Sequence, residues 1–200
     1  MKKKNGEFGF DDEWPCVRGV FSECTQDLWV PTVLEEKRNG YFIDIGCSVP
    51  WLWNNTALLE VKYGWSGLAI DFKIKDNVHV EESLERGIPT DWSERDKSIV
   101  IEESALDIDY VSLFQEHDVP EIIDFLSIDI WPPESNLAVW KKLPHKKYKF
   151  RAICFEHDDH SMYAGRRQET ISEITSLGYK HIQQDSQDDY YVLDEMKDSE

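Results

Sequence analysis

The chain has 200 residues, 40% of them hydrophobic, which suits one domain with its own core and argues against a disordered chain. Forty acidic residues against 22 Lys plus Arg leave a formal charge of −18, a surface that repels phosphate backbones and argues against a nucleic-acid partner. No run approaches the ~20 apolar residues needed to span a bilayer, and Met1-Lys2-Lys3-Lys4 is a basic cap with no apolar region behind it, unlike a secretory signal.

Residues 1–21, with Gly6, Gly9, Pro15 and Gly19, read as an irregular lead-in to a single domain over 22–200. Ser22 to Lys37 reads as a helical region whose stripe is Trp29, Val30, Val33 and Leu34, with Pro31 tolerated early in it. After the Asn39-Gly40 turn come a strand at Tyr41–Ile45, a helix at Thr56–Tyr63 and a strand at Leu68–Phe72. A weaker helix over Asn77–Arg86 is closed by Gly87, residues 88–97 form a polar loop, and Ser98–Glu102 is a short strand. Tyr110–His117 reads as a helix. Ile123–Ile130, apolar almost throughout, suits a central strand covered on both faces. A helix at Ser135–Leu143, a strand at Phe150–Phe155 and a helix at Arg166–Leu177 follow, then short strands at Tyr179–Gln184 and Tyr190–Leu193. The alternation predicts an α/β fold with a mainly parallel sheet, helices on both faces and an antiparallel edge.

Four acids close predicted strands: Asp44, Asp71, Asp129 and Glu156. Strand carboxyl ends line the crevice where open α/β sheets bind ligands. In Tyr41-Phe-Ile-Asp-Ile-Gly46 the glycine turn lets a ligand approach the backbone, and Asp71, one strand–helix unit later, can accept both hydroxyls of a ribose. Each acid alone reads equally well as a cap; together they favour a site. Glu156-His157-Asp158-Asp159-His160 is the densest set of candidate metal ligands, and Asp129 can add to it. On a strand only alternate residues share a face, so Glu156 and Asp158 pair while His157 points elsewhere. Trp51 and Trp131 flank the crevice and suit either stacking on a flat ligand or packing, whereas Trp65 reads as core. Tyr163, Arg166 and Arg167 can meet an anionic group. Cys16, Cys24, Cys47 and Cys154 lack CxxC spacing, fit reduced thiols of a cytoplasmic protein and make no structural zinc set. The basic run Lys141–Lys149 reads as a solvated helix end.

The segments Gln26-Asp-Leu28, Asn39–Gly46, Asn54–Glu60, Gly64–Asp71, Ile123–Ile130, Phe155-Glu-His157 and Leu177-Gly-Tyr179, in that order, resemble the FkbM-like family of S-adenosylmethionine-dependent methyltransferases. The resemblance implies a seven-stranded Rossmann-like sheet with a reversed final strand, and O-methylation of a saccharide or another small hydroxylated acceptor. It implies the methionine part of the cofactor near Asp44 and Gly46 and the ribose at Asp71, with Asn55 also among the cofactor-binding residues. Ser104 and Ala105, with Leu106, are the candidates for the adenine side. Asp129, Glu156 and His157 are the expected catalytic residues, with His157 the base by its ordinary pKa. Mg²⁺ or Mn²⁺ on Asp129 and Glu156 is the metal version of the same chemistry. NAD is the rival ligand, disfavoured by the lack of a full GxGxxG. A homo-oligomer is compatible with the chain.

The sequence departs from the family in two loops. Pro50 stands where a second glycine is expected, and Trp131-Pro132-Pro133 follows Asp129 and Ile130. A crevice closed by Trp51 or Trp131 would leave a methyltransferase-like scaffold without catalysis. That is the alternative reading.

Overall fold

The computed structural model describes residues 21–157 and 167–194. The expected lead-in over 1–20, Cys16, the Asp158-Asp159-His160 part of the acidic run, Tyr163 and Arg166 lie outside the described residues. The elements are α1 (Gln26–Val33), β1 (Tyr41–Ile45), α2 (Ala57–Tyr63), β2 (Ser66–Asp71), α3 (His79–Glu85), β3 (Ser98–Glu102) and α4 (Tyr110–Glu116), followed by β4 (Ile122–Ile128), α5 (Glu134–Lys142), β5 (Lys149–Glu156), α6 (Arg167–Ser176), β6 (Tyr179–Gln184) and β7 (Asp188–Leu193). The loop before β3 carries one short 3₁₀ turn at Trp92–Glu94.

The seven strands form one sheet in the order β3-β2-β1-β4-β5-β7-β6. β1 to β5 are parallel, and β7 runs antiparallel between β5 and β6. This is the expected Rossmann-like architecture with an antiparallel edge. From β1 the chain works outward to β2 and β3, then returns to lay β4 on the other side of β1. The reversal opens a crevice beyond the carboxyl ends of β1 and β4.

Side-chain alternation divides the sheet between two apolar layers. Ile43 and Ile45 of β1 face one layer with Tyr110 and Phe114 of α4, Trp140 of α5 and Ile174 of α6. Phe42 faces the other, with Val30 of α1 and Ala57, Leu58 and Leu59 of α2. Asp44 shares a face with Phe42 by the same period, so its carboxylate is delivered beneath α2. Helix α1 is shorter than the sequence suggests, and Pro31 sits near its end, not its start. Its entry is tied by Asp27, buried, which accepts from the Phe21 N–H at 2.7 Å and the Ser22 hydroxyl at 2.7 Å. Among the described residues no helix is long and apolar enough to cross a membrane.

Candidate functional site

A cavity of about 690 Å³ opens over the strand ends, lined by residues of the β1, β2, β3, β4 and β5 termini. Its floor is the turn after β1. Gly46 has φ +92°, and a Cβ there would stand 1.8 Å from the carbonyl oxygen of Asp129, so only glycine fits. The end of β4 fills the space of a side chain there, while the turn itself still lines the cavity. The N–H groups of Gly46 and Cys47 both donate to the Ile70 carbonyl, at 2.8 and 3.2 Å, which locks the turn onto β2. The next N–H, of Ser48, donates to Asp71 Oδ2 at 2.8 Å and fixes that carboxylate at the cavity wall.

The rest of the loop, through Pro50 and Trp51, rests on a buried arginine. Arg95, 1% exposed, pairs with Glu60 at 2.8 Å. It also donates to the Pro50 carbonyl at 2.8 Å, to Asn54 Oδ1 at 3.1 Å and to the hydroxyls of Thr56 and Ser98 at 3.1 Å each. Its guanidinium lies 5.6 Å from the Trp51 ring centroid and 5.3 Å from that of Trp92. Five donors fixed in a plane suit this number of partners, which an ammonium could not serve. The loop that departs from the expected glycine pattern is thus internally supported. Trp51 belongs to the core beneath it and does not line the cavity.

At the other wall, Asp129 and Glu156 meet. Burial drives the Asp129 carboxyl pKa up, while its hydrogen bonds with Glu156 and Asn55 work in the opposite direction. The two side chains lie within hydrogen-bonding reach of one another. Asn55 Nδ2 donates to Ser127 Oγ at 2.9 Å and reaches Asp129 Oδ2 at 3.4 Å. Asn136, fully buried at the start of α5, accepts from the Ile130 N–H at 3.0 Å and donates to the Glu156 carbonyl at 3.1 Å. The two amides pin the ends of β4 and β5 so that the acids face one another.

Of the residues singled out from sequence, Gly46, Asn55, Asp71, Ser104, Ala105, Asp129 and Glu156 all line this cavity, as does Trp131, which is 75% exposed. Two do not. Asp44 lies under the floor, 1% exposed, accepting from the Thr56 hydroxyl at 2.9 Å. Burial pushes its pKa up to about 7 against the opposing pull of that bond and of Arg95. His157 lines a separate depression of about 260 Å³ with Arg167 and Glu169, and shares only Glu156 with the main cavity. Strand alternation separates the two neighbours.

The metal expectation centred on Asp129 and Glu156. Among the described residues, the group of three whose ligand atoms lie within 4.8 Å of one another is instead Cys24, Asp185 and Asp188, at the base of β7. These groups are engaged with protein partners: Cys24 Sγ with Gln187 Oε1 at 2.5 Å, Asp188 with Gln26 Nε2 at 2.6 Å, and Asp185 with the Tyr190 hydroxyl at 2.6 Å.

Sequence reasoning missed Arg95, Asn136 and Asp188. Arg95 had one signal, as an arginine beside Trp92 in a loop otherwise polar. Nothing local marked Asn136 or Asp188 for the site.

No protein-family model and no curated protein matches the chain. Solved structures do. A protein of the NADB-Rossmann superfamily from Streptococcus agalactiae superposes with TM-score 0.51 at 13% identity, over 90% of this chain and 72% of that one. The O-methyltransferase NovP gives TM-score 0.50 at 10% identity, over 84% and 77%. The methyltransferase domain of METTL16 gives 0.49 at 14%, over 84% of this chain, which spans 65% of that domain's length. The fold is that of class I, Rossmann-like methyltransferases. The FkbM-like assignment is corrected by these findings. The segments that suggested it serve the general fold: Gly46 admits the end of β4, and Gly40 leaves room for Trp65, whose ring atoms a Cβ would approach to 2.6 Å. Such residues report a Rossmann-like sheet and not one family within it.

Proposed function

We propose that residues 22–200 act as one unit, an S-adenosylmethionine-dependent methyltransferase that methylates a hydroxyl of a small acceptor such as a saccharide. The observation that carries this reading is the open cavity at the topological reversal, with Asp71 at one wall and the Asp129–Glu156 pair at another. Its volume is within the range of small-ligand and cofactor sites. Asp71 accepts from the Ser48 N–H at 2.8 Å and from the Lys73 N–H at 3.4 Å, and retains lone pairs for a ribose diol. Ser104, Ala105 and Leu106 form the wall beyond β3 and suit the adenine side, and the turn at Gly46 suits the methionine end.

When bound, S-adenosylmethionine supplies an electrophilic methyl group on a sulfonium. The chain's own work is to align the acceptor and take its proton. The Asp129–Glu156 pair is suited to that. Burial raises the basicity of Asp129, and Asn55 and Asn136 hold the geometry. Mg²⁺ or Mn²⁺ on the same two acids would serve by lowering the hydroxyl's pKa. His157, which lines the separate depression, is left without a part in the proton transfer.

The scaffold alternative required a filled crevice and an Asp71 turned toward Lys73. Trp51 packs in the core, Asp71 is held by Ser48, and the Lys73 ammonium lies 5.4 Å from the Phe72 ring centroid. Free thiols at Cys24, Cys47 and Cys154 suit a reducing cytoplasm. Titration of the purified protein with S-adenosylmethionine, S-adenosylhomocysteine and NAD by calorimetry tests the reading. Binding of the first two and not of NAD is expected. Absence of heat with all three at millimolar concentration sinks it.

A further inference from the structure

We infer that Cys24, Cys154, Asp185 and Asp188 make up a second site in this molecule, a zinc-type metal site that clamps the entry of α1 to β5 and to the β6–β7 turn. The inference is independent of the methyltransferase reading. Sulfur and oxygen donors converge from three separate stretches of chain. Cys24 precedes α1, Cys154 lies in β5, Asp185 opens the turn after β6 and Asp188 begins β7. The ligand atoms of Cys24, Asp185 and Asp188 lie within 4.8 Å of one another. Cys154 joins them across the sheet. It pairs with Tyr190 while Glu156 pairs with Asp188, so Cys154 and Asp188 are diagonal neighbours on one face. Their side chains are hydrogen-bonded to each other. The cysteines show no metal spacing in sequence because these donors meet only in the folded sheet.

The charge balance around the group is the second, independent feature. The next residue, Asp189, is fully buried and is matched by Arg167 at 2.6 Å and His181 at 2.7 Å. Asp188, 1% exposed, and Asp185 have no ion-pair partner among the described residues. Buried carboxylates are paired or coordinate metals, and here the pairing cation is missing from the chain itself. The bonds that Asp185 and Asp188 do make are those of oriented ligands. The N–H groups of Gln187 and Asp188 donate to Asp185 Oδ1 at 2.9 and 2.8 Å, the Tyr190 hydroxyl donates to its other oxygen, and Gln26 holds Asp188. Each carboxylate keeps lone pairs beyond these. Cys24 Sγ lies 2.5 Å from Gln187 Oε1, an oxygen that only accepts, so the metal-free thiol carries its proton. A metal displaces that proton, and the one on Cys154, to solvent. Ligand atoms around a tetrahedral zinc stand about 3.5 Å apart, so the group needs only a small contraction. Thiolates mixed with carboxylates select Zn²⁺ over the hard, oxygen-seeking Mg²⁺ and Mn²⁺.

The test uses the full chain, reduced, stripped of metal with EDTA and titrated with Co²⁺ and then Zn²⁺. A single equivalent of Co²⁺ should bring up a thiolate-to-cobalt charge-transfer band and the strong visible absorption of a tetrahedral ion. Zn²⁺ should abolish both; Mg²⁺ and Mn²⁺, the candidates at Asp129 and Glu156, should not. Zn²⁺ at ~100-fold its Kd should raise Tm by roughly 5–10 °C. Cys24 and Asp185 are both partly exposed, so Cys24→Ser and Asp185→Asn are the variants least threatening to the fold. Each should weaken Co²⁺ by roughly tenfold or more, and the first should also diminish the charge-transfer band. Cys47→Ala removes a thiol outside the group and should leave band and affinity unchanged. Absence of a thiolate band in the reduced chain overturns the inference. So does a band and affinity that survive in both Cys24→Ser and Asp185→Asn, which would put the metal on other residues.

Discussion

The carbonyl oxygen of Asp129 occupies the space that a Cβ on Gly46 would need, 1.8 Å from its position, so the turn after β1 and the end of β4 close on each other without a side chain between them. A residue of the cavity floor and a residue of the proposed proton acceptor are thereby one mechanical unit. Gly46→Ala must push the end of β4 away and also adopt φ +92°. About 3 kcal/mol of destabilisation is expected, together with loss of S-adenosylhomocysteine binding. Gly87→Ala is the control: φ +70° is strained there, but nothing lies within 4 Å, so a cost of about 1 kcal/mol is expected. Thermal unfolding of the two variants separates steric from conformational cost. Equal losses would show that Asp129 does not crowd Gly46.

Arg95 joins the loop over Pro50 to α2 and β3 through five partners. Arg95→Met leaves Glu60 buried without its cation and should cost about 3–5 kcal/mol. Adding Glu60→Gln to it should restore part of that loss, because the stranded charge is removed. Denaturant unfolding of the two singles and the double completes the cycle. Additive losses would mean that the pair is not coupled.

The extent of this architecture readable from sequence follows from how far apart its causes lie along the chain. β1, β3 and β6 begin and end where the sequence reading places them, because a short run bounded by turn residues is a local signal. The four strand-end acids were visible for the same reason, and three of them line the cavity. Asp44 fell short because facing is set by the partner layer: on the α2 side of β1 the acid meets Thr56 before it meets solvent. Arg95 lies 35 residues from Glu60, and Asn136 lies 20 from Glu156, separations at which no sequence period operates. His157 was favoured for its ordinary pKa, but strand alternation, weighed in the same reading, turns it away from Asp129.

Asp71 is expected to account for much of the cofactor affinity. Asp71→Ala removes both the diol acceptor and the partner of the Ser48 N–H, and should weaken S-adenosylhomocysteine at least tenfold by calorimetry. Asp71→Asn keeps an oxygen for Ser48 and should lose less. Unchanged affinity in both variants would place the ligand's ribose elsewhere.

Stability should fall as pH rises through neutrality. Burial holds Asp44 protonated up to about pH 7, and burial with the charges of Asp129 and Asp185 holds Asp188 protonated up to about pH 8. In the unfolded chain both lose their protons near pH 4. Between these limits the native state holds more protons than the unfolded one, so stability is fully present below about pH 4 and is lost with rising pH until each folded pKa is passed. Each group contributes up to about 1.4 kcal/mol per pH unit. Tm measured from pH 5 to 9 should decline, and Asp188→Asn should flatten the decline above pH 7, where Asp44 no longer contributes. A wild-type Tm that rises from pH 5 to 8 would contradict the burial of these acids in protonated form.

The proton acceptor can be identified by separating Glu156 from its neighbour. Glu156 and His157 adjoin in sequence but line different depressions, with only Glu156 facing the main cavity. If the Asp129–Glu156 pair takes the acceptor's proton, Glu156→Gln and Asp129→Asn should each lower kcat by about 10²–10⁴ with S-adenosylhomocysteine binding retained. His157→Ala, acting only through packing beside Glu156, should stay within about threefold of wild type. The pH profile gives a readout that simple structural damage would not: the kcat limb reporting the base should vanish in Glu156→Gln and persist in His157→Ala. A limb lost with His157 and kept without Glu156 would return the role to the imidazole. Activity that collapses in EDTA and recovers with Mg²⁺ or Mn²⁺ would give the two carboxyls to a metal instead.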